Sequence, residues 1–347
     1  MRKAEFFGAS REDAVALLAA APVVHLAGCD EEGRPVLRAL HAVVFDGAIW
    51  FHGSPVGEKA EAIGRPAVIS ADEVVASIPS FVFDPERACP ATTYYRSAQV
   101  HGVLEDVADL QLKARALQAL MEKYQPEGGH APITAEDPRY RLAVKGIGVV
   151  RMSLERACGK WKLGQNRKPE EITRVLEYLW RRGEARAVEA VRAANPSAPA
   201  PEFLACPAGA RLVCALGRRD LPEAWELLAD QYWNAGVSRD RLEQALLRSP
   251  AWVGARDEEG RLVATGRATG DGAKWAFLFD IVVAPQWRGR GLGRSLVRLL
   301  LDHEAVRGAR KVLLRTRDAH GLYRKFGFVD RDAAGAFGST EMELVRA

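Results

Sequence analysis

The 347-residue chain is poor in cysteine, and the five it has, Cys29, Cys89, Cys158, Cys206 and Cys214, form no Cys-x-x-Cys pair. Their spacing signals neither a zinc knuckle nor a redox dithiol, and no metal site is expected. An odd cysteine count without a disulfide framework predicts a reducing, cytoplasmic setting. No apolar run approaches the roughly 20 residues that a membrane span needs. The apolar run 14–21 imitates a signal core, but Glu5, Glu12 and Asp13 spoil the basic leader, and Ser10-Arg11-Glu12-Asp13 reads as a helix start. The chain also lacks an internal repeat, a helix-turn-helix, a zinc module and a nicotinamide fingerprint. Its net charge is only +4, with both signs interspersed, so nucleic acid is not an expected partner. Basic clusters near 151–168 and 288–298 read as a cofactor rim, a solvated face or a phosphate site.

The stretch Arg288-Gly289-Arg290-Gly291-Leu292-Gly293 is the most informative. Before it, Phe277-Leu278-Phe279-Asp280-Ile281-Val282-Val283 reads as a buried strand, and after it Ser295-Leu296-Val297-Arg298-Leu299-Leu300-Leu301 reads as a helix packed on a sheet. In strand, glycine-rich basic loop, helix, free backbone N–H groups at the helix start point at a phosphate. A Walker loop would end in Gly-Lys-Ser/Thr, and a Rossmann turn needs G-x-G-x-x-G; neither spacing is present. Arg-x-x-Gly-x-Gly is present instead. Downstream lie a strand, Lys311-Val312-Leu313-Leu314-Arg315-Thr316, and then Ala319-His320-Gly321-Leu322-Tyr323-Arg324-Lys325-Phe326-Gly327-Phe328.

Both motifs, in this order and at this distance, resemble the GNAT superfamily of N-acetyltransferases. The resemblance implies an α/β fold with a mixed sheet, and acetyl-CoA held along Val282, Val283, Arg288, Gly289, Arg290, Gly291, Leu292 and Gly293. The chemistry asks for two proton-handling groups. An alkylammonium with a pKa of about 10 leaves roughly one molecule in a thousand reactive at neutral pH, so a base is required. The departing thiolate needs a proton donor. By resemblance Tyr323 is that donor. Asp280 reads either as the base, acting directly or through water, or as a structural carboxylate or substrate anchor. The family often carries Asn seven residues before the tyrosine; Thr316 stands there, and no role passes to it.

The amino-terminal half is a different domain. Strand-like runs alternate from 21 to 151, among them 36–44, which turns at Asp46-Gly47 into Ala48-Ile49-Trp50-Phe51-His52. Several strands with one or two helices predict a small barrel. Pro35-Val36-Leu37-Arg38, Trp50-Phe51-His52-Gly53-Ser54 with Gly57-Glu58-Lys59, Tyr95-Arg96-Ser97 and Lys162-Leu163-Gly164-Gln165-Asn166-Arg167 together resemble the pyridoxamine-phosphate-oxidase-like FMN-binding split barrels, nearest the nitroimidazole-resistance branch. That resemblance implies an antiparallel β split barrel holding FMN near Arg38, His52, Ser54, Lys59, Arg96, Gln165 and Asn166, and a homodimer formed through the barrel. Ser54-Pro55 reads as a helix cap, with Lys59 a turn further on. Arg38 is expected on the strand that pairs with Trp50–His52. The segment 87–96, with Cys89 at its centre, reads as a pocket wall or as an ordered loop over the barrel mouth.

The expected division is a barrel over 1–168, a helical connector and Pro/Ala-rich linker over 169–209, and the acetyltransferase domain over 210–347. Two helices flank Arg182-Gly183, and Asp220-Leu221-Pro222-Glu223 reads as a helix start. Three function classes follow. One is a bifunctional protein, an FMN-dependent oxidoreductase half joined to an acetyl-CoA-dependent transferase acting on a small amine. Another is a flavin or haem sensor regulating the transferase, with His25, His41, His52, His101 and His130 as possible haem ligands. The last is a nucleic-acid-linked regulator.

Overall fold

The computed structural model describes residues 4–30, 32–334 and 338–346. It divides into two compact units, residues 1–77 with 93–166, and residues 78–92 with 167–347.

The first unit runs α1 (Ala4–Phe7), β1 (Gly8–Ala9), α2 (Arg11–Ala20), β2 (Val24–Cys29), β3 (Pro35–Leu40), β4 (Val43–Phe45), β5 (Ala48–Gly53), α3 (Glu58–Glu61), β6 (Pro66–Ile78), β7 (Thr92–Val103), β8 (Glu105–Asp106), α4 (Leu110–Tyr124), α5 (Arg141–Gly146), β9 (Gly148–Ser153) and β10 (Ala157–Lys162). Two sheets form, ordered β1-β10-β7-β6-β2-β3 and β4-β5-β9-β8. Leu26, Leu40, Ile69 and Val100 of the first sheet and Ile49, Phe51, Val150 and Met152 of the second share one core, which gives the barrel-like architecture. The other side of β5 buries Trp50 with Val107, Ala116 and Val149.

The run 36–44 is not one strand. It breaks at His41-Ala42, so β3 pairs with β2 in one sheet while β4 pairs with β5 in the other. The cause is local hydrogen bonding. The Ala42 N–H donates to Tyr124 Oη at 3.1 Å, and the Ala42 carbonyl accepts from Lys123 Nζ at 2.8 Å. Side chains of α4 thus take the backbone groups that a continuous ladder would use. The hairpin at Asp46-Gly47 forms as expected, with positive φ at both residues (45° and 68°).

The second unit contains α6 (Pro169–Arg181), α7 (Ala185–Ala194), β11 (Ala210–Val213), α8 (Leu221–Leu228), α9 (Arg239–Arg248), β12 (Ala251–Asp257), β13 (Leu262–Gly270), β14 (Trp275–Val283), α10 (Leu292–Asp302), α11 (Glu304–Arg307), β15 (Lys311–Thr316), α12 (His320–Arg324), β16 (Val329–Ala334) and β17 (Thr340–Val345). Its seven-stranded sheet is ordered β11-β12-β13-β14-β15-β17-β16, with β14 and β15 parallel and the other pairs antiparallel. This is a mixed α/β sheet. Pro222 sits at the start of α8 as the sequence suggests, but Asp220 is no side-chain cap: its carboxylate accepts from the Gly217 N–H and pairs with Arg256.

Helices α6 and α7 belong to this unit. α6 buries Ile172, Val175, Leu176, Leu179 and Trp180 on one face. Trp180 stacks on Phe203 at 4.9 Å, meets His303 edge-on at 5.5 Å, and donates its indole N–H to Asp302 at 2.5 Å. The Pro/Ala-rich stretch is therefore ordered where Phe203 and the buried Leu204 pack.

His303 gives this unit an acid-sensitive point. It is 3% exposed, and its Nδ1 accepts from the Ala305 N–H at 3.2 Å, capping α11. Burial, reinforced by the Arg307 charge and opposed by Asp302, lowers its pKa from 6.5 to about 4. The folded state thus prefers the neutral ring. Its contribution is complete above pH 6.5 and is lost as pH falls towards 4, amounting to about 2–3 kcal/mol between pH 7.5 and 4.5. His303→Asn keeps a cap acceptor without titrating there. Urea unfolding at both pH values should show the variant losing less stability on acidification by that amount; parallel losses would remove His303 from the account.

Candidate functional site

In the second unit, the chain chemistry gathers where two parallel strands part. β14 and β15 pair only over Trp275↔Lys311, Ala276↔Val312 and Phe277↔Leu313, although β14 continues to Val283 and β15 to Thr316. Beyond that point the strands have separated. Past the open end of β14 comes the basic loop. Gly289 and Gly291 both have positive φ (74° and 90°), and Gly291 is the N-cap of α10. This left-handed entry leaves the first N–H groups of α10 without intrahelical partners, and α10 is eleven residues long. The loop cations are held loosely: Arg288 Nε donates to the Val283 carbonyl at 3.1 Å, and Arg290 stacks on Trp287 at 5.1 Å. These groups fit an anionic pyrophosphate. Val282 packs in the core with Trp252 and Leu221, while Val283 faces Gly293.

Asp280 sits in a β-bulge. The pairing of β13 with β14 shifts between Thr265 and Arg267, and Asp280 adopts φ 52°, a left-handed conformation that Asp tolerates better than most residues. There its two oxygens accept from Trp233 Nε1 at 3.0 Å and Arg267 Nε at 2.5 Å. Arg267 also lies over the Phe279 ring at 4.4 Å and donates to Ser249 Oγ. Both carboxylate oxygens are thus engaged, one by an indole N–H and one by a guanidinium. Of the two roles open to it, the geometry favours the anchor. Trp233 and Arg267 were invisible as partners in the sequence, because a register shift across β13 and β14 brings them together.

The pair is buried, with side chains 15% exposed for Arg267 and 6% for Asp280. Asp280→Asn keeps the shape and the left-handed φ but leaves Arg267 uncompensated, so it should cost about 3–5 kcal/mol. Adding Arg267→Met should recover most of that loss in urea unfolding. A single variant as stable as the parent would show that the pair does not hold the bulge.

Tyr323 lies on α12, 6% exposed, with its ring edge-on to Phe328 at 5.9 Å. Burial first, then the neighbouring Tyr232 and Asp318, push its phenol pKa well above the ordinary 10. The hydroxyl therefore stays protonated at neutral pH, as a proton donor must. Thr316, buried, accepts the Ala319 N–H on its Oγ1 at 3.0 Å and so shapes the turn that aims α12. That is a positional role the sequence left blank.

The barrel residues are less concentrated. Arg38 is exposed on β3, opposite Leu26, with its guanidinium donating to the Leu37 carbonyl at 2.7 Å. It is not on the strand that pairs with β5, whose neighbours are β4 and β9; the break at Ala42 moved it to the other sheet. Ser54 caps no helix, since α3 begins at Glu58 and Ser54 Oγ accepts from the Val56 N–H at 3.2 Å. The side chain of Lys59 lies outside the described residues. Arg96 pairs with Glu73 at 2.9 Å. Gln165 is spent on its own turn, bonding Trp161 and Leu163, and Asn166 is exposed at the end of the unit. His52 and Ser54 do come together, lining a cavity of about 470 Å³ with Pro55, Lys113, Lys145 and Gly148. Lys113 Nζ donates to the Ile147 carbonyl at 2.8 Å. The two lysines suit a phosphate-bearing ligand, and nothing in the local sequence announced them, since they arrive from α4 and α5. The loop 78–92 belongs to the second unit: Arg167 stacks on Phe83 at 4.0 Å, and Arg174 donates to the Val82 carbonyl at 3.2 Å.

Comparison with known proteins finds one family in each half of the chain. Residues 10–161 match the family described as pyridoxamine 5'-phosphate oxidase, and residues 217–328 match the acetyltransferase (GNAT) family. The chain is 36% identical over 92 residues to GCN5-related N-acetyltransferase 1, chloroplastic, of Arabidopsis thaliana, covering 26% of this chain and 46% of that protein. It is 37% identical over 99 residues to serotonin N-acetyltransferase 2, chloroplastic, of Oryza sativa subsp. japonica, covering 27% and 50%. The chain thus spans about half the length of these relatives. Among solved structures, a candidate 5-nitroimidazole antibiotic resistance protein from Bacteroides thetaiotaomicron aligns at TM-score 0.36 and 17% identity, over 44% of this chain and 85% of that one. Among the described residues, no helix is long and apolar enough to cross a membrane.

Proposed function

We propose, for a chain that joins a pyridoxamine 5'-phosphate oxidase-family domain at 10–161 to a GNAT-family acetyltransferase domain at 217–328, that the second domain transfers acetyl from acetyl-CoA to a small amine while the first carries FMN. The observation that carries the transferase reading is the parting of β14 and β15 beside a left-handed glycine loop, with Tyr323 protonated and buried at the same end. The N–H groups at the start of α10, with Arg288 and Arg290, hold the pyrophosphate. The free amine attacks the thioester carbonyl carbon, the C–S bond breaks, and Tyr323 gives its proton to the departing sulfur. The proton shed by the acetylated nitrogen restores Tyr323 by way of solvent, and Asp280 holds the bulge against Arg267 and Trp233. The products are the N-acetyl amine and coenzyme A.

For the barrel, FMN would supply electron transfer when bound; His52, Ser54, Lys113 and Lys145 line the cavity that suits its phosphate, with Arg38 and Arg96 as outer candidates. A flat flavin in a shallow groove needs a second wall, which a twofold dimer through the barrel provides.

Native mass spectrometry of the whole chain tests these readings together. The expected result is a dimer carrying two FMN, which binds CoA; acetylation assays with flavin oxidised and reduced then separate bifunctional from regulatory action. A monomer that retains stoichiometric FMN would refute the shared site, and a chain that binds no CoA would refute the transferase.

A further inference from the structure

The acceptor side of the transferase site has an uneven charge distribution. A short turn, Tyr232–Asn234, spans the mouth between the parted strands. Trp233 is tied to β14 through Asp280, while Tyr232 is covered by the guanidinium of Arg317, just past the end of β15, at 4.1 Å from its ring centroid. Tyr232 in turn acts electrostatically on Tyr323. Arg317 itself sits in the turn between β15 and α12, the helix that carries Tyr323. Stacking occupies the flat face of the guanidinium and leaves its edge, with a fork of N–H donors, open.

That edge has no acidic partner among the described residues. Some other arginines of this unit do have one: Arg267 pairs with Asp280, Arg256 with Asp220 and Glu223, Arg324 with Asp330, and Arg331 with Glu341. Glu343 is taken by Lys311 at 3.2 Å. The stretch 315–325 holds four cations, Arg315, Arg317, Arg324 and Lys325, against one carboxylate, Asp318. Asp318 acts on Tyr323, the reacting end of the site. A second ammonium on the acceptor would meet the guanidinium of Arg317. An anionic group would find a preoriented, unpaired guanidinium.

Resting on the acetyltransferase reading, we propose that the acceptor is a primary amine that also carries an anionic group, a carboxylate or a phosphate ester, and that Arg317, stacked on Tyr232, is the residue that selects it. The amine lies towards Tyr323 and the anion towards the guanidinium edge, so the two ends of the acceptor are told apart by charge. Bidentate pairing gives geometric specificity that a lysine at the same place would not reproduce.

The test uses conjugates in which the acceptor amine is joined through an acetyl bridge to the sulfur of CoA, so that affinity is read without turnover. Four are compared by calorimetry on the full chain: those of propylamine, β-alanine, O-phosphoethanolamine and 1,3-diaminopropane. The β-alanine or the phosphoethanolamine conjugate should bind about ten- to a hundredfold more tightly than the propylamine conjugate, and the diamine conjugate no better than it. Which anionic conjugate leads tells a carboxylate acceptor from a phosphate one. In Arg317→Gln the preference should fall to within about twofold, while CoA alone binds as to the parent; Arg317→Lys should restore only part of it. Equal affinities in the parent, a preference for the diamine, or a preference that survives in Arg317→Gln would overturn the proposal while leaving the transferase reading in place. Failure of CoA itself to bind would sink both, and is distinct from either.

Discussion

Tyr323→Phe should lower the turnover number of amine acetylation by about 10²–10⁴-fold while leaving acetyl-CoA affinity close to that of the parent. The substitution removes one oxygen from a ring that is 6% exposed and packs edge-on against Phe328, so the fold has no cavity to absorb. On the proposed mechanism, what is lost is the proton for the departing thiolate. The pH profile adds a second readout. Because burial, Tyr232 and Asp318 hold the phenol protonated well past its usual range, the parent's turnover should show no falling limb near pH 10 from this group. Steady-state kinetics with any accepted amine, and calorimetry with CoA, measure both. A Phe variant with full turnover would return Tyr323 to core packing, and Tyr232 would become the next donor to examine.

Gly291→Asp should weaken acetyl-CoA binding by about a hundredfold or more. A carboxylate about 5 Å from one phosphate charge costs roughly 3 kcal/mol at an effective dielectric of 20, and the pyrophosphate offers two such charges. Shape contributes less. Gly291 has φ 90°, where a side chain is strained, but a Cβ at this position would meet only Pro207, at 3.7 Å, and Asp and Asn are the side chains that best tolerate left-handed backbone. Gly291→Asn, of the same shape without the charge, should lose only a few-fold. Calorimetric titration of CoA into both variants separates the two effects. If Asn and Asp weaken binding equally, the loop acts by shape; if neither does, the pyrophosphate lies elsewhere.

The parts of this protein written locally were legible without any structure. The loop 288–293 declares itself because a helix start with glycines and arginines is a short-range arrangement; the positive φ of Gly289 and Gly291 was added by the structure. The segment ending at Tyr323 is equally local. The hairpin at Asp46-Gly47 and the two helices around Arg182-Gly183 follow from turn chemistry and apolar spacing. Arg38 and Ser54 show the limit. Both were read by continuity along the chain, and each depended on a decision made elsewhere, by the Tyr124 and Lys123 side chains at Ala42 and by the start of α3 at Glu58.

By itself, then, the sequence determined that two unlike domains share one chain, that one carries a glycine- and arginine-rich loop between a strand and a helix, and that a segment containing Tyr323 follows it. Local hydrogen-bonding rules and periodic burial are enough for such statements, because they involve residues a few positions apart. Only the tertiary structure decided which partners hold Asp280, what stacks on Tyr232, and where Lys113 and Lys145 go. A one-residue register shift between β13 and β14 gives Asp280 to Arg267 and Trp233, and the separation of β14 from β15 lets Arg317 stack on Tyr232 across the opening. Register and strand separation are set by packing over the whole sheet, and no stretch of a dozen residues contains that information.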